Sequence, residues 1–333
     1  MKSRAKNRLK TLAGAAAAAL AALLAPATLP AQAPASAPAS QPAASPALEA
    51  VHQPLLWVIE GETPSYLFGT IHLPDKRVVD TLPDEVHDAM DAADAVYTEI
   101  PMDPMTTGMA AGMSMSLMGP PLSERIGPEL QARVAAVLER RGLSPTMLDQ
   151  FKTWAAAATL GTLDYLEQMA AEPPLDMMIY QRAEKAGKKV AGIETLQEQM
   201  GVFEAFTDEE QVKFLEMTLD GVEEADRKGE KPTEKILQAY LLGDAENIHA
   251  IAMEEFDHED PIGVKFMHKL LTERDLRMAE RISAKLAEEP GLTHFFAVGA
   301  MHLAGDSSVI AHLERMGHTI HRVEAAAPAA ATH

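Results

Sequence analysis

Gly69-Thr70-Ile71-His72-Leu73 and Gly299-Ala300-Met301-His302-Leu303 are two copies of one pattern, set 230 positions apart. Each closes a short apolar run: Ser65-Tyr-Leu-Phe68 before the first, His294-Phe-Phe-Ala-Val298 before the second. Apolar runs of that length bounded by glycine read as buried strands. A glycine at the strand end lets the backbone turn sharply or come close to another group. Each histidine then falls just past a strand's carboxyl end, where open α/β sheets bind ligands. A lone Gly-x-x-His carries little information. Two copies with matched flanks predict two imidazoles meeting from opposite ends of the chain.

Outward from the first copy, Leu55 to Glu60 and Ser65 to Phe68 flank Gly61-Glu-Thr-Pro64 and read as a β-hairpin. Pro83 precedes a helix to about Ala93, with acids in its first turn. Ala95-Val-Tyr-Thr-Glu-Ile-Pro101 is a strand that delivers Glu99. The middle reads as helical: one helix opened by Gly127-Pro128, another by Ser144-Pro145 and running through Trp154 to Leu166, a third over Leu175 to Ala186. Lys188 to Ile193 is a short strand followed by Glu194, and Thr207-Asp-Glu-Glu210 starts a further helix with a cap-and-acid signal. Helices continue to about Glu289, broken near Gly229, Gly243 and Pro261. Around the second copy, a strand over His294 to Val298, a helix over Asp306 to Met316 and a strand over His318 to Val323 form a closing β-α-β unit. The fold class expected is α+β (mixed α/β): a central mixed sheet built from both ends of the chain, with a large helical insert.

The termini read differently. Lys2, Arg4, Lys6, Arg8 and Lys10 precede an apolar Leu12–Leu24 stretch and an Ala31-Gln-Ala33 cleavage pattern, so residues 1–33 read as an export signal. Residues 34–50 are a Pro/Ala/Ser linker, 51–323 one folded domain, and 324–333 an Ala/Pro tail expected to be disordered. No later run approaches a membrane span. The expected location is periplasmic or secreted. The formal charge is −20, and loss of the five leader cations takes the mature chain to about −25. Nucleic-acid binding needs a basic face and is excluded on that ground. With no cysteine there is no disulfide, and a metal site has only His, Asp and Glu to draw on.

His72, Glu99, Glu194 and His302 are the polar residues expected at four strand ends on one rim of the sheet. Two imidazoles with one or two carboxylates suit a divalent ion such as Mn²⁺, Co²⁺, Zn²⁺ or Fe²⁺. Such an ion lowers the pKa of bound water and polarises a carbonyl, and a free carboxylate can then act as general base. Taken singly, a strand-end His is more often a local hydrogen bonder, and a strand-end Glu is more often solvated.

These residues also carry a resemblance. Leu67-Phe-Gly-Thr-Ile-His72, Tyr97-Thr-Glu-Ile100, Leu175-Asp176, Gly192-Ile-Glu194 and Phe296-Ala-Val-Gly-Ala-Met-His-Leu-Ala-Gly305 follow one another as in the TraB/GumN family. The similarity covers nearly all of 55–323. It implies a fold related to the erythromycin-esterase and ChaN-like group. Through the family's Tiki branch it implies a divalent-metal-dependent peptidase. By the same resemblance His72 and His302 are the motif histidines, Glu99 and Glu194 match the family's acids, and Glu273-Arg274-Asp275 stands where members commonly carry Glu-Arg-Asn. Asp275 thus adds an anion beside Arg274, a residue able to bind a carboxylate or hold Glu99 or Glu194.

Six methionines fall within 102–118 (Met102, Met105, Met109, Met113, Met115, Met118). Thioethers select Cu(I). The plainer expectation is a mobile apolar cover, given Gly108, Gly112 and Gly119. His249, His258 and His268 lack metal-ligand spacing. The function expected is an exported metallohydrolase, a peptidase or amidase, with His72, Glu99 and His302 as metal ligands and Glu99, Glu194 and Arg274 in catalysis. Its partner would be a peptide or small-molecule substrate. The alternatives are a non-catalytic periplasmic binder of metal, haem or a small ligand, or an accessory factor for envelope polysaccharide.

Overall fold

In the computed structural model, which describes residues 53–166, 168, 173–254 and 260–325, six strands form one mixed sheet. They are β1 (Leu56–Ile59), β2 (Ser65–Thr70), β3 (Ala95–Thr98), β4 (Lys189–Gly192), β5 (His294–Gly299) and β6 (Ile320–Arg322), in the order β4-β3-β5-β2-β1-β6. Strands β4, β3, β5 and β2 run parallel, and β1 is antiparallel to both β2 and β6. The four parallel strands therefore end on one rim. The predicted 1–33 leader and 34–50 linker lie outside the described residues, as does all of the predicted tail except its first two residues.

Strand β5 comes from the C-terminal end of the chain and sits between β3 and β2 from the N-terminal end. All six of its residues are buried, as a central strand covered on both faces requires. Phe295 and Ala297 pack on one face with Phe68 and Val96, while Phe296 and Val298 pack on the other with Leu67 and Tyr97. This is the period-two alternation of a pleated strand. The sheet is thus a structural constraint that links the two ends of the chain.

Among the described residues the helices are α1 (Lys76–Asp80), α2 (Asp84–Ala92), α3 (Pro104–Met113), α4 (Leu122–Arg140), α5 (Thr153–Gly161), α6 (Leu175–Lys185), α7 (Leu196–Glu204), α8 (Asp208–Lys228), α9 (Pro232–Leu241), α10 (Ala245–Glu254), α11 (Pro261–Met267), α12 (Glu273–Glu288) and α13 (Val309–Arg315). A π-helical turn, His268–Thr272, joins α11 to α12, and a 3₁₀ turn, Ala300–Leu303, follows β5. Side chains from α6, α9 and α10 join the core on one face of the sheet; α12 and α13 supply the other. Helices α4, α5 and α8 enclose a separate cluster, the core of the insert. The expected capping box at Thr207 is present: its side chain accepts from Glu210 N, and Glu210 reaches back to Thr207 N.

Three local expectations are corrected. Helical structure begins at Leu122, ahead of Gly127-Pro128, and Gly127 (φ 79°) marks a kink rather than a start. Ser144-Pro145 opens a series of turns, and the next helix waits until Thr153. The methionine-rich segment contains the ordered helix α3, capped by Asp103, whose side chain accepts from Met105 N and Thr106 N. Its thioethers divide between core and solvent, with Met102 buried while Met105 and Met118 are exposed. The six thioethers thus do not share one environment.

The glycines of the paired motif serve close approach. A Cβ on Gly69 would stand 3.1 Å from Leu303 Cδ1, 3.2 Å from Leu55 Cβ and 3.3 Å from the Ala300 Cα. The first motif thus needs glycine so that the second can pack on it. Gly69→Ala is expected to cost about 1–3 kcal/mol through overpacking, read as a lower denaturant midpoint at unchanged m-value. An unshifted midpoint would contradict this close-approach role.

Candidate active site

Each functional side chain lies just past a strand end or in the first turn of a helix facing the rim. His72 follows β2 by two residues, Glu99 directly follows β3, Glu194 follows β4 by two, and His302 sits in the 3₁₀ turn after β5. Backbone pairing between the β3 and β4 segments continues beyond the strands, with Ile193 N donating to Thr98 O at 2.8 Å and Glu194 N to Glu99 O at 2.7 Å. That pairing sets the two glutamates side by side.

The two imidazoles meet at Glu99. His72 Nε2 and His302 Nε2 are each 3.7 Å from Glu99 Oε1. The opposite ring nitrogens are clamped: His72 Nδ1 to Asp176 Oδ2 at 2.7 Å and His302 Nδ1 to Asp275 Oδ1 at 2.5 Å. A carboxylate on Nδ1 fixes the proton there and leaves Nε2 as the inward-facing nitrogen, which can bind an ion once its own proton is lost. Asp176 is itself oriented by Thr70 Oγ1, which donates to its Oδ1 at 2.5 Å. Gly299 N–H donates to Glu99 Oε1 at 2.7 Å. A methyl on Gly299 would stand 3.1 Å from that oxygen and 3.4 Å from His72 Nε2. The second glycine of the pattern therefore makes room for the site itself.

Arg274 lies behind this group with 2 % exposure. Its Nη2 donates to Glu99 Oε2 at 2.5 Å, its Nε to Glu194 Oε2 at 2.9 Å, and its Nη1 approaches His302 Nε2 at 3.2 Å. Gln199 Nε2 donates to Glu99 Oε2 at 2.8 Å. Arg277 takes the remaining oxygen of Glu194, its Nε donating to Oε1 at 3.0 Å. Glu194 thus has both oxygens held by guanidinium groups, whereas Glu99 keeps one oxygen facing the imidazoles.

Charge follows from burial and partners. Burial works to raise the Glu99 pKa, but Arg274 and the two imidazoles outweigh it and hold the carboxyl well below its ordinary range. Burial works to lower the His72 pKa, yet Asp176 and Glu99 prevail and raise it to about 10. Burial raises the Asp275 pKa against the opposing pull of His302 and Arg274.

Among the described residues, no three His, Asp or Glu side chains form a recognisable ready-made metal cage. The donor set nevertheless fits a divalent ion. Bonds of about 2.0–2.2 Å can bridge donor atoms up to about 4 Å apart, and each imidazole nitrogen is 3.7 Å from the carboxylate oxygen. A cation would take the place of the Arg274 Nη1 hydrogen as partner of the His302 lone pair. The cavity at the two histidines has a volume of about 40 Å³, walled by Ile236, Tyr240, Ile248, Leu270, Leu271 and Met301.

Sequence reasoning assigned no role to Asp176 or Gln199, and took Asp275 only as an added anion. Asp176 sits in the first turn of α6, where an acid is ordinary. Its partner His72 lies 104 positions away. A Leu-Asp pair directly after Pro173-Pro174 is the one local signal.

The TraB/PrgY/gumN family profile matches residues 55–322, and the chain belongs to that family. Among similar proteins are metalloprotease TIKI1 of Danio rerio, 26 % identical over 82 % of this chain, and metalloprotease TIKI1 of Homo sapiens, 24 % identical over 82 %. A metalloprotease TIKI homolog of Amphimedon queenslandica is 23 % identical, again over 82 %. The matches span 64 %, 62 % and 62 % of those proteins' own lengths, so less than two thirds of each is covered. No solved structure matches the chain.

The His72 environment has a measurable consequence. Its folded pKa of about 10 stands above the ordinary 6.5. Its contribution to stability is complete below about pH 6.5, shrinks as pH rises, and is lost above about 10. Metal-free protein should therefore fall in Tm between pH 7 and 10, and His72→Gln should show a shallower fall. Equal slopes in the two proteins would contradict the proposed Asp176–His72–Glu99 coupling.

Proposed function

We propose that the protein is an exported divalent-metal-dependent hydrolase acting on peptide or amide bonds, at work in the periplasm or outside the cell. One observation carries the reading: two buried imidazoles, each clamped at Nδ1 by a carboxylate, present Nε2 at 3.7 Å to a single oxygen of Glu99. Relatives named metalloproteases support it. The erythromycin-esterase and ChaN-like architecture belongs to the same proposal, supported by a mixed sheet whose parallel strands end together at the site.

The ligands would be His72, His302 and Glu99, with Mn²⁺, Co²⁺ or Zn²⁺ as the ion. When bound, the ion supplies Lewis acidity toward a carbonyl and activates water for attack. The remaining work falls to the chain. Asp176 and Asp275 hold both rings in the tautomer that binds through Nε2 and increase their basicity. Glu99, kept anionic by Arg274, suits a ligand better than a base, since a carboxyl held far below neutrality takes a proton reluctantly. Arg274 Nη1 is a buried donor beside the imidazoles and can stabilise negative charge on a reacting carbonyl oxygen. Glu194 positions Arg274. The apolar wall of Ile236, Ile248 and Leu270 limits access of bulk water. A volume of about 40 Å³ is far below the roughly 300–1,000 Å³ of common ligand pockets, which counts against haem as an occupant.

Metal content and peptide hydrolysis measured side by side test the proposal. His72→Ala and His302→Ala should each lose metal and activity together, with the fold retained. Glu99→Gln should weaken metal retention. Full metal content with turnover slowed about 10²–10⁴-fold would instead make Glu99 the general base. Full activity in both histidine variants would end the metallohydrolase reading and favour a binding protein. Gly299→Ala should also lose metal, because its methyl would crowd Glu99 Oε1 and His72 Nε2. Unchanged metal affinity there would show that the carboxylate and ring are not held as described.

A further inference from the structure

A second cavity, of about 390 Å³, lies beside elements that carry the site. Leu271 lines both cavities. Asp275, which clamps His302, also lines the outer one. The loop from Ala304 to Ser307, leading directly out of the His302 turn, completes its boundary. The outer cavity therefore borders the elements that carry the site, and Leu271 is common to the two cavities.

Its shape is built in at two points. Gly305 has φ +86°, and a Cβ there would stand 3.2 Å from the His249 ring, so this loop packs tightly on α10. The shared Leu271 lies in the π-helical turn His268–Thr272. Such turns insert an extra residue into a helix and are frequent at functional sites. Within this turn Leu270 lines the inner cavity and Leu271 lines both. Met253, Val264, Met267 and Leu271 supply the larger, apolar part of the outer wall, and Asp275 and Asp306 give it an acidic edge. Thioethers adapt to side chains of differing shape.

Resting on the hydrolase reading above, the geometry points to the outer cavity as a specificity subsite for an apolar side chain next to the scissile bond, with Leu271 as the residue that divides side chain from reacting group. The inner cavity, at about 40 Å³, has room for a carbonyl group and little more. A neighbouring side chain must lie outside it. The outer volume of about 390 Å³ is within the range of common ligand pockets, roughly 300–1,000 Å³. The substrate class is a peptide carrying Leu, Met or Phe beside the cut, in preference to Gly or an acidic residue.

The test uses the mature protein loaded with Mn²⁺ and a set of fluorogenic peptides that differ only in having Gly, Asp, Leu or Phe at each position beside the cut. Wild type should favour Leu and Phe at one of those positions. Val264 is half exposed, so Val264→Glu should leave the fold and metal content intact while placing a carboxylate in the cavity. It should reduce kcat/KM for the Leu peptide about 10–200-fold, mainly through KM, the usual range for apolar discrimination. The Gly peptide should be unaffected. Leu271→Ala should raise the Phe-to-Leu rate ratio. An unchanged Leu-to-Gly ratio in Val264→Glu, with hydrolysis present, would overturn the subsite alone. A wild-type protein that retains metal but cleaves none of the peptides would overturn the hydrolase reading and the subsite with it.

Discussion

Arg274 is a cation buried against two carboxylates, and the geometry of the rim depends on it. Removing a guanidinium from water costs several kcal/mol even after relaxation. Glu99 and Glu194 offset that cost from two parallel neighbouring strands, with Arg277 completing Glu194. The network joins the ends of β3 and β4 to the first turn of α12. It also sets which carboxylate is available: Glu194 is consumed by guanidinium groups, while Glu99 keeps Oε1 clear of them, bonded to the Gly299 N–H and facing the imidazoles. Loss of Arg274 would leave buried anions uncompensated, a change typically worth about 3–5 kcal/mol.

The repeated motif has a physical logic that neither copy shows alone. Gly69 lets the second motif's Ala300 and Leu303 approach the end of β2. Gly299 leaves space for Glu99 and His72, and offers its N–H to Glu99. Each glycine therefore accommodates groups from elsewhere in the site. Both histidines receive a carboxylate at Nδ1 from the first turn of a helix, Asp176 from α6 and Asp275 from α12. The Asp at 275, read from sequence as an added anion beside Arg274, is the counterpart of Asp176.

What could be read from sequence was local or repeated. The strands ending near Gly69, Thr98, Gly192 and Gly299 follow from apolar runs with clear stops, and a mixed sheet fed from both ends of the chain follows from their positions. The approach of His72, Glu99, Glu194 and His302 could be anticipated because all four lie beyond parallel strand ends. The clamps could not: Asp176 and Asp275 sit where first-turn acids commonly sit, and their partners are set by tertiary packing. Helix α3 was missed for a related reason. Its glycines and exposed methionines give no amphipathic period, and the helix is held by the Asp103 cap and by packing of Met102 and Ala110 in a cluster with Trp154, Tyr180 and Met200. Ser144-Pro145 carried a plausible start signal, yet the chain forms turns there before Lys152 and Thr153 begin α5.

The central claim is that two carboxylate-clamped imidazoles and Glu99 form one metal site. Anomalous diffraction from crystals of the protein soaked in Mn²⁺ or Zn²⁺ tests it most directly. The account predicts one strong peak within bonding distance of His72 Nε2, His302 Nε2 and Glu99 Oε1, with Arg274 retained on Glu194. A peak elsewhere, or none at the two histidines under conditions that load the protein in solution, would contradict it.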